Sequence, residues 1–185
     1  FTKRTIDTAA RFGASAVVLH CGKVEMEDKT RALISLLEQG KKDTHEFVDL
    51  KDAALCEREQ LAAPYFNNTL RSLDELNRYA GEKNIHLGVE TRFYLREIPN
   101  LREIGVILEK FPDSRIHYWH DTGHAQVMQD LGVAQHRDFL ALYGERLLGV
   151  HLHDVRNGRD HMAPSKGTFD FSWLKPYLGP RILKV

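Results

Sequence analysis

The segment RIHYWHDTGHAQV (Arg115–Val127) begins as a strand-like apolar run, then gathers three histidines, an aspartate and a glycine into the eight residues from His117 to His124. A tight turn explains part of this, because Asp121 can close an Asx turn or cap the next helix. It does not explain the D-x-x-H formed by Asp121 and His124, since a turn needs no histidine. The strand therefore ends where proton- and metal-binding groups collect.

Outward from this segment, strand-like and helix-like stretches alternate. Ala16–Leu19 (AVVL) is a short β-branched run after a helix that closes at Gly13, and Thr30–Gly40 has helical spacing. Lys41–Ala63 is charged and has no clear periodicity, whereas Leu70, Leu73, Leu76 and Ala80 mark a helix. Ile85–Glu90 (IHLGVE) reads as a strand. The helix after it has Asn100 as N-cap, Glu103 three residues on, and Pro112 as its stop. A helix near His136–Gly144, the strand LLGVHLHD, a short helix at FSWLKPYLG and the strand-like RILKV complete the order. Alternation of this kind implies parallel strands with helical crossovers.

The strand ends at Glu90, Asp121 and His151 are 31 and 30 residues apart. A (β/α)8 TIM barrel of about 250 residues allots about 31 to each unit. Five strands predict a partial barrel of about five βα units, strand 4 to strand 8, in a single domain over residues 1–185. N-terminal units and the C-terminal end are expected to lie outside this sequence. No glycine-rich loop follows any strand, which argues against a dinucleotide-binding sheet.

Composition narrows the function. Hydrophobic residues make up 42% and charged ones 28%, an ordinary globular balance. Lys plus Arg equals Asp plus Glu, 26 against 26, which argues against a broad nucleic-acid-binding face. No apolar run reaches membrane-spanning length. Cys21 and Cys56 form no CxxC, which fits reduced thiols and a cytoplasmic protein.

Several strands end in a residue of metal-ligand type: His20, Glu90, Asp121, and His151 with His153. In a TIM barrel these ends converge on the face where active sites sit. Glu, Asp and His make a mixed oxygen and nitrogen set for a divalent cation. His151 and His153, two apart, share one strand face. His86, His117 and His120 read as structural. The loop Arg156–Phe171 follows the histidine-bearing strand, so Arg156 and His161 are candidates to reach substrate.

VVLHCG, LGVET, HDTGH, GVHLHD and DHMAPSKGTFDF, in this order, resemble the xylose-isomerase-like TIM-barrel superfamily. That superfamily holds sugar and sugar-phosphate isomerases and epimerases, inosose dehydratases and apurinic-site endonucleases of the endonuclease IV type. The resemblance implies Glu90, Asp121 (with His124) and His151 (with Asp154) as metal ligands, and a further Glu ending the eighth strand, expected just past Val185. It implies Glu90 as the acid/base group, with His20, His124, His153, His161 and Arg156 at substrate or at a second metal. The expected activity is isomerisation or epimerisation of a sugar or sugar phosphate through a metal-stabilised enediolate, with Mn, Zn, Mg or Co as cofactor. Two alternatives are a zinc phosphodiesterase acting on abasic DNA and a non-catalytic degenerate barrel. Against the phosphodiesterase, Asp160 and His161 are adjacent where the superfamily often has D-x-H, and His153 stands where the endonucleases usually have Asn.

Overall fold

The computed structural model describes residues 1–185. Five strands form one parallel sheet in the order β1 (Ala16–Leu19), β2 (His86–Glu90), β3 (Ile116–Asp121), β4 (Leu147–His151) and β7 (Leu183–Lys184). The order follows the chain, as in a barrel, and the sheet is part of one. An antiparallel hairpin, β5 (Asp154–Arg156) and β6 (Arg159–Met162), leaves the end of β4.

The two faces of the sheet differ in what they bury. Leu87, Val89 and Ile116 point outward, against Ile6 of α1 (Thr2–Arg11), Leu73 of α3 (His45–Glu82) and Ile107 of α4 (Leu101–Lys110). Tyr118 and Val150 pack likewise on Leu140 of α6 (His136–Tyr143). On the inner face the indole of Trp119 lies over Gly88 and Gly149 and fills the space that side chains there would take. Alternation then carries Glu90, Asp121 and His151 to the same inner face at the C-terminal strand ends. A bulge between Tyr118 and Trp119 adds Leu148 to β4 and sets His151 opposite Asp121.

The expected capping box is present: Asn100 accepts from Glu103 N, and Glu103 accepts from Asn100 N. The stretch Lys41–Ala63, which shows no clear periodicity, lies mostly within His45–Glu82, one helix of 38 residues that continues through Pro64 and includes the helix marked by Leu70 to Ala80. One expectation needs correction. The segment after Arg156 is not simply a loop. Asn157 and Gly158 both adopt positive φ, 51° and 75°, and make the two-residue turn of the β5–β6 hairpin.

Candidate metal centre and its cavity

The three ends expected to converge do so. Ligand atoms of Glu90, Asp121 and His151 lie within 4.8 Å of one another. His151 Nδ1 is 2.7 Å from Glu90 Oε1 and 3.3 Å from Asp121 Oδ2. Both carboxylates are buried and His151 is partly open. Adjacent ligands of a cation with bonds of about 2.1 Å stand roughly 3.0–3.4 Å apart. The His151–Asp121 separation falls in that range, the His151–Glu90 pair is a hydrogen bond that would open by a few tenths of an ångström, and two anionic oxygens with one imidazole nitrogen are a donor set suited to a divalent cation.

Electrostatics bind the three together. Hydrogen bonds to Asp121 and Glu90 push His151 up to about 9. Burial pushes the Glu90 carboxyl up, but the hydrogen bond from His151 and the Arg92 guanidinium outweigh it and hold it below the ordinary carboxylate value. Burial also opposes the charge on Asp121, yet hydrogen bonds from His151 and His153 hold it far below the usual range. The imidazolium of His151 thus sits between two carboxylates, the charge arrangement that a cation would also satisfy.

Neighbouring groups fix each carboxylate. Asp121 Oδ1 accepts from His124 N at 2.8 Å, capping α5 (Thr122–Asp130), and faces His153 Nε2 at 2.8 Å. His153 Nδ1 must be the acceptor of the His161 N–H at 2.8 Å, so Nε2 carries the proton donated to Asp121. The Thr122 hydroxyl lies 3.0 and 2.8 Å from the His151 and His153 carbonyls and braces the end of β4. His124 Nδ1 donates to Thr91 O at 2.8 Å, which leaves Nε2 toward Asp160 Oδ2 at 3.5 Å. His20 Nε2 is 2.9 Å from Glu90 Oε2, although His20 is largely exposed.

These groups open into a cavity of about 800 Å³. Glu90, His20, His124, His151 and His161 line it, with Phe93 beside the His124 ring. A second group, His124, His153 and His161, also has ring nitrogens within 4.8 Å. Because both nitrogens of His153 are already hydrogen-bonded, it braces Asp121 and would have to give up a bond to act as a ligand.

Arg156 is not brought to the cavity. It is exposed on β5, while its cross-strand partner Arg159 lines the cavity and donates to Glu38 Oε1 at 3.2 Å. The cause is the hairpin tip. Gly158 seats on Ile34 of α2 (Thr30–Glu38), where a Cβ would come within 2.6 Å, and this docks the neighbouring Arg159 over the opening. Sequence reasoning also missed Arg92, which is buried, pairs with Glu90 Oε2 and donates to Glu97 Oε1 at 2.7 Å. No spacing signal marks it. His86 and His117, read as structural, contact each other at 2.9 Å away from this centre. His120 lies on the outer face within hydrogen-bond distance of Tyr118 OH and His136.

Comparisons with known proteins agree with the barrel. The chain is 26% identical over 170 residues to the uncharacterized protein y4fM of Sinorhizobium fredii, covering 91% of this chain and 44% of that one. It superposes on a D-tagatose 3-epimerase-like protein with a TM-score of 0.60 at 17% identity, covering 99% of this chain and 59% of the other. A D-allulose 3-epimerase from Methylomonas sp. gives 0.62 at 15% identity, with 98% and 53% covered. The 3-keto-D-glucoside 4-epimerase of E. coli gives 0.60 at 15%, with 99% and 60% covered. The chain spans about half the length of these relatives, and at these identities the structural likenesses establish the fold. No helix is long and apolar enough to cross a membrane. The sequence model of the xylose isomerase-like TIM barrel matches residues 1–178, and the chain belongs to that family.

Proposed function

We propose that this protein is a metal-dependent sugar epimerase or isomerase that moves a proton on a carbon next to a carbonyl. The observation that carries the reading is the convergence of Glu90, Asp121 and His151 at adjacent strand ends. The epimerases that share the fold support it, and one of them has been crystallised with D-allulose. A divalent cation held by these residues (Mn, Zn, Mg or Co) would polarise substrate oxygens and stabilise the charge left as the proton departs.

The chain's own residues supply the rest. Glu90 is held ionised and lines the cavity, so its carboxylate can take a proton from a substrate carbon. Arg92 and His151 fix the orientation of that carboxylate. Asp121 keeps His151 in place, and His153 keeps Asp121 in place. His124, with Nδ1 committed to the Thr91 carbonyl, presents Nε2 to the cavity and can hold a substrate hydroxyl. Phe93 gives the cavity an apolar wall beside the His124 ring. Two free thiols, Cys21 and Cys56, support a cytoplasmic setting.

The test strips the full-length protein with a chelator, reloads it with each cation, and follows hydrogen-to-deuterium exchange at the carbon next to the carbonyl across a panel of sugars. Metal-dependent exchange in some member is expected, and none in any member refutes the reading. A protein that binds no cation would be a non-catalytic barrel. The proximity of His124, His153 and His161 favours a second reading, a zinc phosphodiesterase acting on abasic DNA. Two or more ions per chain together with cleavage of an abasic duplex would establish it. The balanced charge and the committed His153 count against it.

A further inference from the structure

We infer that the cavity takes a sugar bearing an anionic end group, carboxylate or phosphate, and that Arg31 selects it. The inference rests on the epimerase reading and concerns the same cavity.

Helix α2 forms one wall of the cavity with Arg31, Ile34, Ser35 and Glu38, which share a helical face. Three arginines line the space, and two are neutralised. Arg92 pairs with Glu90 and Glu97, and Arg159 pairs with Glu38. Arg31 pairs with no carboxylate. It donates to the phenolic oxygen of Tyr94 at 2.6 Å, and its guanidinium carbon lies 5.4 Å from the centre of that ring.

Arg31 gains nothing from its place in the helix, because a cation in the first turn opposes the helix dipole. Tyr94 instead holds the guanidinium in place, so less ordering cost falls on a ligand that binds it. The remaining N–H groups are free, and a planar guanidinium suits carboxylate and phosphate oxygens alike.

The pairing of the other charged lining residues points the same way. Glu97 pairs with Arg92, Glu38 pairs with Arg159, and Asp160 faces His124 and His161. Among the arginines of this chain that line the cavity, Arg31 alone has its positive charge without a carboxylate partner. A neutral sugar leaves that charge unused, whereas an anionic end group pairs with it. The cavity of about 800 Å³ has room for a monosaccharide and such a group.

The experiment uses the full-length protein reloaded with manganese. Five- and six-carbon ketoses and aldoses are each offered in three forms: neutral, with a terminal phosphate and with a terminal carboxylate. Exchange at the carbon next to the carbonyl gives kcat/KM for each. At least one anionic form should exceed its neutral counterpart by about tenfold or more, and which arm responds says whether phosphate or carboxylate is meant. The advantage should shrink at high salt. It should fall to about threefold or less in Arg31→Met, and Arg31→Lys should retain part of it. Equal kcat/KM for neutral and anionic forms, or an advantage that survives in Arg31→Met, overturns the assignment while leaving the epimerase reading intact. Exchange in no member refutes that reading, and this inference with it.

Discussion

Replacing Asp121 separates the two things its carboxylate does. Oδ1 caps helix α5 through His124 N and accepts from His153, both at 2.8 Å. Oδ2 faces His151 Nδ1 at 3.3 Å, beside Glu90. Asn caps a helix as well as Asp does, so Asp121→Asn keeps the Oδ1 bonds. It loses the charge and turns an N–H toward His151. The lost charge-assisted contact costs about 1–2 kcal/mol, the low end for such bonds because 3.3 Å is long. For a chain of this size that is a drop in Tm of roughly 2–8 °C. Asp121→Ala loses the cap as well, about 1 kcal/mol, and strands the His153 donor for about 1–3 kcal/mol more. Its total is about 3–6 kcal/mol, a fall of roughly 6–24 °C. Metal affinity should behave differently. Asn already removes one of two anionic ligands, so manganese and zinc should bind at least about 100-fold more weakly in both variants, about 2.7 kcal/mol. Thermal melts and calorimetric titration of chelator-stripped protein read the two effects separately. If Asp121→Asn binds manganese within about threefold of the parent protein, Asp121 is a helix cap only, and the metal centre proposed here is wrong.

Glu90→Gln keeps an oxygen ligand but cannot take a proton, so metal binding should weaken modestly while turnover falls by more than about tenfold; turnover within tenfold would remove Glu90 as the base. In Gly149→Ala the new Cβ would stand 2.4 Å from Trp119 Cζ3, so the crowded inner face should cost about 1–3 kcal/mol, and an unchanged denaturant midpoint would refute that packing. Burial pushes His136 from its ordinary 6.5 down to about 2, so the unfolded chain binds this proton more readily between those values. The stability gained by keeping it neutral is complete above pH 6.5 and is lost as the pH falls, by up to about 1.4 kcal/mol per pH unit. Melts from pH 7 to pH 5 should therefore show a shallower decline in His136→Gln than in the parent protein, and parallel slopes would refute the assignment.

The strand ends were legible because parallel strands repeat at a fixed interval, and that interval survives in sequence as the 31 and 30 residues between Glu90, Asp121 and His151. Which face each residue takes was legible too, since alternation in β3 separates His120 from Asp121. Helix α3 was harder. Its N-terminal half is rich in charged residues, it contains Pro64, and the residues buried there include two alanines and an arginine, Ala54, Ala62 and Arg58, so the 3.6-residue apolar pattern is weak until Leu70. The Asn157–Gly158 pair is the sequence signal for the hairpin, and it went unread within a long polar stretch. Which arginine reaches the cavity depends on Gly158 seating against Ile34, a contact between residues more than 120 positions apart that no local pattern encodes.

The adjacency of Asp160 and His161 also changes meaning once the backbone is known. In a regular strand, neighbours face opposite sides, so two adjacent residues could not serve one cavity. His161 breaks the alternation with a φ of 57°, a left-handed conformation that costs a non-glycine residue about 1 kcal/mol or more. Asp160 Oδ2 can then stand 2.8 Å from His161 Nδ1 and 3.5 Å from His124 Nε2, while the His161 ring stacks on His153 at 4.4 Å. The same residue donates its backbone N–H to His153 Nδ1, which commits the other nitrogen of His153 to Asp121. The strained position therefore acts on the candidate metal centre at one remove. The hairpin turn sets His161, His161 sets the tautomer of His153, and His153 holds the carboxylate of Asp121. An altered spacing that would separate two ligands in an extended chain here orients the partner of one.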